Sequence, residues 1–131
     1  MDARILIVED EQVVGLNLRR LLRSWGYTKL TLVASGHAAI GEAAAFLPDL
    51  VLMDVALEER MDGVEAAARI QQLGPVPVIF VTAHGDDLTT SRALQSSGES
   101  VVRFINKPID EQALRTSIEV VLKRPTRDLA S

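Results

Sequence analysis

Apolar positions fall into two alternating kinds of pattern along this chain. ILIV (5–8), LVLM (50–53) and VIFV (78–81) are short unbroken runs, as strands buried on both faces must be. TKLTLVA (28–34) alternates polar and apolar residues, and VVRFIN (101–106) is interrupted by Arg103, so both read as strands with an exposed side. Helical spacing fills the intervals. Val14, Leu18, Leu21, Leu22 and Trp25 form one stripe, with Gly26 as its stop. Ser35 is placed to cap an Ala-rich helix ending near Pro48, and a third helix runs from about Val64 to Gly74-Pro75. Asp86 is placed to cap a fourth helix ending near Gly98, and Asp110 a fifth, whose stripe is Leu114, Ile118, Val121 and Leu122. Glu111–Arg115 and Glu119–Lys123 stand at i,i+4 spacing on that last helix.

Strict strand-helix alternation predicts an α/β fold, a parallel sheet with helices on both faces. The wholly apolar runs one, three and four belong at its centre, and runs two and five at its edges. With right-handed crossovers this gives a flavodoxin-like, doubly wound, five-stranded sheet in the order 2-1-3-4-5, with five helices. The order in which strands are added reverses between strands 1 and 3, and ligands bind beyond the carboxyl ends of strands at such a switch point.

Size and composition narrow the classes. The chain has 131 residues, enough for one domain that buries roughly two-thirds of its unfolded surface. There are no cysteines, which excludes disulfides, zinc-thiolate sites and thiol catalysis and fits a reducing compartment. A formal charge of −4 argues against a nucleic-acid footprint. The N-terminal apolar run, Ile5 to Val8, is too short for a signal peptide or a membrane span, so a cytoplasmic domain is expected. The domain is placed at 1–124, with 125–131 as a short polar tail.

The predicted topology gathers chemistry from distant parts of the chain. Glu9 and Asp10 follow strand 1, Asp54 follows strand 3, Thr82 strand 4 and Lys107 strand 5. In a parallel sheet these ends share one edge. Three carboxylates, a hydroxyl and an ammonium would therefore converge. Adjacent acids repel unless a cation joins them, and a hard divalent ion such as Mg²⁺ suits oxygen donors. An aspartate beside such an ion, with Lys and Thr to meet phosphoryl oxygens, fits phosphoryl transfer to the aspartate itself.

ILIVEDE (5–11), LVLMD ending at Asp54, MDG (61–63), VIFVTA (78–83) and NKP (106–108) resemble, in order and spacing, the receiver domain of two-component response regulators. The resemblance covers about residues 4–122. It implies that Asp54 is the phosphoacceptor, served by a histidine kinase or histidine phosphotransfer protein. It implies a Mg²⁺ site of Asp10, Glu9, Asp54 and the Ala56 backbone carbonyl. Lys107 would contact the phosphoryl group and precede a cis peptide to Pro108. Thr82 would be the switch hydroxyl and Phe104 the aromatic whose rotamer follows it. Phosphorylation would repack the face made by the fourth helix, fifth strand and fifth helix, where an unknown target protein docks or the chain dimerises.

The sequence departs from the common pattern in three places. The loop from Asp54 to Gly63 is about one residue longer and lacks the usual proline, the stretch from Gly98 to Lys107 is also longer, and Phe104 carries no hydroxyl. Ala56 and His84 flank the expected pocket and are candidates for controlling water access to an acyl phosphate. His37 reads as a helix-surface residue, and Trp25 as packing remote from Asp54.

Only the tail KRPTRDLAS (123–131) follows the last helix, so the expectation is a stand-alone regulator with a binding output, not an enzyme acting on external substrates. The alternatives are a pseudo-receiver that binds partners without phosphorylation and the receiver portion of a hybrid histidine kinase. An aspartate-nucleophile phosphatase typically has a second acid two residues on, where this chain has Ala56. A P-loop ending in Lys-Ser or Lys-Thr is missing. A flavin phosphate would be repelled by Glu9-Asp10-Glu11 after strand 1.

Overall fold

The computed structural model describes residues 2–57, 61–82 and 102–123. Five strands, β1 (Arg4–Val8), β2 (Lys29–Val33), β3 (Leu50–Asp54), β4 (Val78–Thr82) and β5 (Val102–Asn106), form one sheet. Every pairing is parallel and the order is β2-β1-β3-β4-β5. Four described helices connect or follow them: α1 (Gln12–Ser24), α2 (Gly36–Phe46), α3 (Gly63–Leu73) and α4 (Glu111–Leu122). The last of these is the fifth helix of the sequence pattern. The expected fourth, from Asp86 to near Gly98, lies outside the described residues, as do His84 and the tail from 124.

Burial follows the composition of each strand. All five residues of β3 and of β4 are buried, whereas β2 is exposed at Lys29 and half-buried thereafter. Successive side chains alternate across the sheet, so the strands feed two cores. Leu6, Val8, Val51, Met53, Val78 and Phe80 pack under α2 and α3. Ile5, Ile7, Leu50, Leu52, Ile79 and Ile105 pack under α1 and α4 with Leu18, Leu22, Leu114 and Ile118. Fully burying each large aliphatic side chain stabilises the fold by about 1.5–3 kcal/mol.

The helix ends follow local chemistry. Ser35 Oγ accepts the Ala38 N–H at 3.1 Å, and Asp110 Oδ1 accepts those of Gln112 and Ala113 at 3.0 and 3.2 Å. Gly26 ends α1 with φ 98°, a left-handed conformation that costs glycine little. The two i,i+4 pairs expected on α4 are replaced by another. Arg115 Nε lies 3.9 Å from Glu119 Oε2, and its guanidinium sits 5.8 Å from the Trp25 ring centroid, drawn toward α1. His37 is exposed.

Candidate functional site

The carboxyl ends of β1, β3, β4 and β5 meet at one edge, and Asp54 is itself the last residue of β3. Burial is deep for polar residues: Glu9 and Asp54 are 3% exposed and Thr82 is 5% exposed. Carboxylate oxygens of Glu9, Asp10 and Asp54 all lie within 4.8 Å of one another. Lys107 Nζ reaches into the group, 3.5 Å from Asp54 Oδ1 and 3.6 Å from Glu9 Oε1. Of the five residues expected to converge, Glu9, Asp10, Asp54 and Lys107 meet within these distances, and Thr82 ends the adjoining β4.

The backbone holds these groups in place. The Ala56 N–H donates to Asp54 Oδ1 at 3.1 Å, which fixes one carboxylate oxygen from the following turn. Glu9 Oε2 accepts the Glu11 N–H at 3.1 Å, so Glu9 serves the start of α1, where Glu11 makes no side-chain cap. The Lys107 N–H donates to the Thr82 carbonyl at 2.8 Å and ties the tips of β4 and β5 together. The Lys107-Pro108 peptide is cis. Ala56 is exposed at its side chain. Phe104 stands back from the carboxylates. It pairs with Phe80 in the sheet register, and the two rings stack with centroids 5.4 Å apart.

Electrostatics at this edge are strained by burial. Desolvation, helped by a hydrogen bond to Asp54 and by its charge, pushes the Glu9 carboxyl up to about 7. Burial opposes the charge on Lys107, but the Asp54 and Glu9 carboxylates outweigh it and hold the ammonium above its ordinary range. Clustered hard oxygen donors with a net negative charge are the donor set that suits Mg²⁺ and not a soft metal.

A family model described as "Response regulator receiver domain" matches residues 5–119. The chain belongs to the receiver domain family. It is 31% identical over 121 residues to the transcriptional regulatory protein PdtaR of Mycobacterium tuberculosis, covering 92% of this chain and 57% of that one. It is 33% identical over 123 residues to the transcriptional regulatory protein GlrR of Escherichia coli, covering 93% of this receiver and 27% of that protein. The receiver thus spans between about a quarter and somewhat over half of these relatives. Among solved structures, the receiver domain of a modulated diguanylate cyclase from Desulfovibrio desulfuricans superposes with a TM-score of 0.84 at 32% identity, with all of both chains covered. The receiver domain of a LuxO-type repressor protein from Vibrio parahaemolyticus gives 0.85 at 28%, covering 100% of this chain and 98% of that one. Receiver domains are phosphoacceptor switches that bind Mg²⁺ through acidic residues and work with histidine kinases or phosphotransfer proteins. Among the described residues no helix is long and apolar enough to cross a membrane.

Two features of this receiver were not read from its sequence. Asp62 caps α3, with its Oδ1 accepting the Glu65 N–H at 2.9 Å. An Asp followed three residues later by Glu at the head of an apolar stripe is a signal that could have found it. The second is a groove of about 590 Å³ between α1 and the turn after β5, lined by Glu11, Val13, Leu16, Arg20, Lys107, Pro108 and Ile109. Val13 and Leu16 break the helical stripe and point outward, 81% and 43% exposed.

Proposed function

We propose that this receiver is a Mg²⁺-dependent phosphorylation switch whose acceptor is Asp54, charged by a histidine kinase or a histidine phosphotransfer protein. The observation that carries this reading is the approach of Lys107 Nζ to Asp54 Oδ1 inside a ring of three carboxylates. An Asp54 oxygen attacks the phosphorus of a phosphohistidine. The P–N bond breaks, its electron pair returns to the imidazole, and an acyl phosphate forms. Asp10, Glu9, Asp54 and the Ala56 carbonyl would hold the Mg²⁺, which when bound supplies positive charge against the phosphoryl oxygens. Lys107 supplies a second positive charge and exchanges its Asp54 partner for a phosphoryl oxygen. The groove beside α1 shares Lys107 with the site, so a donor helix pressed on Val13 and Leu16 is led to Asp54.

The same lysine links chemistry to output. Its amide is bonded to the Thr82 carbonyl, so movement of Lys107 or of the Thr82 hydroxyl toward the phosphoryl group is felt at the tips of both β4 and β5. Phe104, half-buried on Phe80, is the aromatic that repacks in response, and β5 with α4 belongs to the face that changes. The test is intact-mass spectrometry after incubation with a small acyl phosphate and Mg²⁺. The expected result is the gain of one phosphoryl group, lost with a chelator and in Asp54→Asn. No gain from either a small donor or a phosphohistidine protein would return the receiver to partner binding without phosphorylation.

A further inference from the structure

The turn after Asp54 closes on a contact that only a residue without a side chain permits. A Cβ placed on Gly63 would overlap the Asp54 carbonyl oxygen and lie 2.9 Å from both the Asp54 carbonyl carbon and the Val55 Cα. These are backbone atoms at the end of a buried central strand and of the residue that follows it, so they cannot swing aside as a flexible side chain could. Gly63 carries no positive φ, so what is required here is space and not an unusual conformation. Its N–H donates to the Val55 carbonyl at 2.9 Å, and the Leu57 N–H donates to the same carbonyl at 3.1 Å. Between those two bonds lies Ala56, whose N–H holds Asp54 Oδ1. On the other side of Gly63, the Met61 side chain is 4% exposed. It packs where a Cβ on Gly36 would meet its Sδ at 3.1 Å, so the first turn of α2 also closes on this segment.

We propose that Gly63, with Met61 beside it, is a positioning residue for Asp54. The bare Cα lets α3 seat directly on the end of β3, and that seating holds the turn whose Ala56 amide orients the Asp54 carboxylate. The consequence for phosphorylation rests on the acceptor role proposed above, while the consequence for the Ala56–Asp54 hydrogen bond does not.

The experiment compares Gly63→Ala with wild type by two readouts: the NMR shift and hydrogen exchange of the Ala56 amide, and the rate of phosphorylation by a small acyl phosphate at saturating Mg²⁺. The expected result is an Ala56 amide that shifts and exchanges faster, and a rate lowered about a hundredfold, as misplacement by about 1 Å can do. Met61→Ala, which removes packing without inserting an atom, is expected to move both readouts the same way by about tenfold, and Met61→Leu to restore them. Ile70→Val, which thins the buried face of α3, and Gly41→Ala, where a Cβ meets nothing within 4 Å, leave both unchanged. A folded Gly63→Ala with wild-type Ala56 amide and wild-type rate overturns the proposal. If Gly63→Ala does not fold, an unchanged Met61→Ala overturns it. If wild type takes no phosphoryl group, the acceptor reading fails, and the Ala56 amide still decides this one.

Discussion

The two ends of the sheet treat charge in opposite ways. At the amino edge Arg4 and Asp49 exchange hydrogen bonds, Arg4 N–H to Asp49 Oδ2 at 2.8 Å and Asp49 N–H to the Arg4 carbonyl at 2.7 Å. The Arg4 guanidinium adds a bond to the Phe46 carbonyl at 3.2 Å and lies 6.0 Å from the Phe46 ring centroid. Both charged side chains are exposed to solvent, and each has a backbone partner of its own. At the carboxyl edge three acids cluster, and the two buried ones, Glu9 and Asp54, share Lys107. Buried like charges oppose folding. The amino edge is therefore arranged for stability, and the carboxyl edge keeps an electrostatic cost that folding alone would remove. Local conflicts of this kind are expected where function sets the residue.

The sharpest way to break the comparison is to neutralise one aspartate at each edge and measure urea unfolding in a chelator. Asp54→Asn keeps an acceptor for the Ala56 N–H and removes a buried like charge, so it is expected to stabilise the receiver by about 1 kcal/mol. Asp49→Ala removes the side-chain acceptor of the Arg4 N–H and is expected to cost about 1 kcal/mol. Destabilisation by Asp54→Asn would mean that the carboxyl edge carries no such cost.

A further effect follows from pH. Glu9 has a folded value of about 7 against an ordinary 4.5. Below 4.5 both the folded and unfolded states hold the proton. Between 4.5 and about 7 only the folded state still does, so its contribution is lost as pH rises through this window. Without metal, stability is expected to decline across that range in wild type relative to Glu9→Gln. Parallel profiles for the two proteins would remove Glu9 as the cause. The proton and a metal compete for the same oxygens, so the Tm gained on adding Mg²⁺ is expected to grow between about pH 6 and pH 8.

The sequence and the structure agree where one physical rule decides. A parallel sheet puts all carboxyl ends at one edge, so the meeting of Glu9, Asp10, Asp54 and Lys107 was legible before any coordinate. Strand order was legible too, because Lys29, Thr31 and Arg103 cannot sit in a strand covered on both faces. Three-dimensional closeness that no rule specifies was not legible. MDG could be matched as a motif, yet the contact of Gly63 with the Asp54 carbonyl depends on the angle at which α3 meets β3. Arg115 had two acids at i,i+4 spacing, Glu111 before it and Glu119 after it, and the Trp25 ring on another helix helps fix the outcome. The groove formed by Val13 and Leu16 with Pro108 and Ile109 joins segments about ninety residues apart.

The smallest expected effect tests whether the two edges communicate. Trp25 caps the far end of α1, a 13-residue helix that begins beside Glu11 and so extends about 20 Å from the site. Its ring is held by the α1–α4 core and by Arg115, both on the side of the sheet away from α2 and α3. Charge neutralisation among Glu9, Asp10 and Asp54 acts through contacts within a few ångströms, and salt screens it over about 10 Å. Trp25 fluorescence is therefore expected to stay level when Mg²⁺ or a phosphoryl group is added, and to change in Arg115→Ala, which removes the cation beside the ring. A strong Mg²⁺-dependent change in wild type would show instead that α1 moves as a rigid lever, carrying a signal from the crowded carboxyl edge to the balanced amino edge.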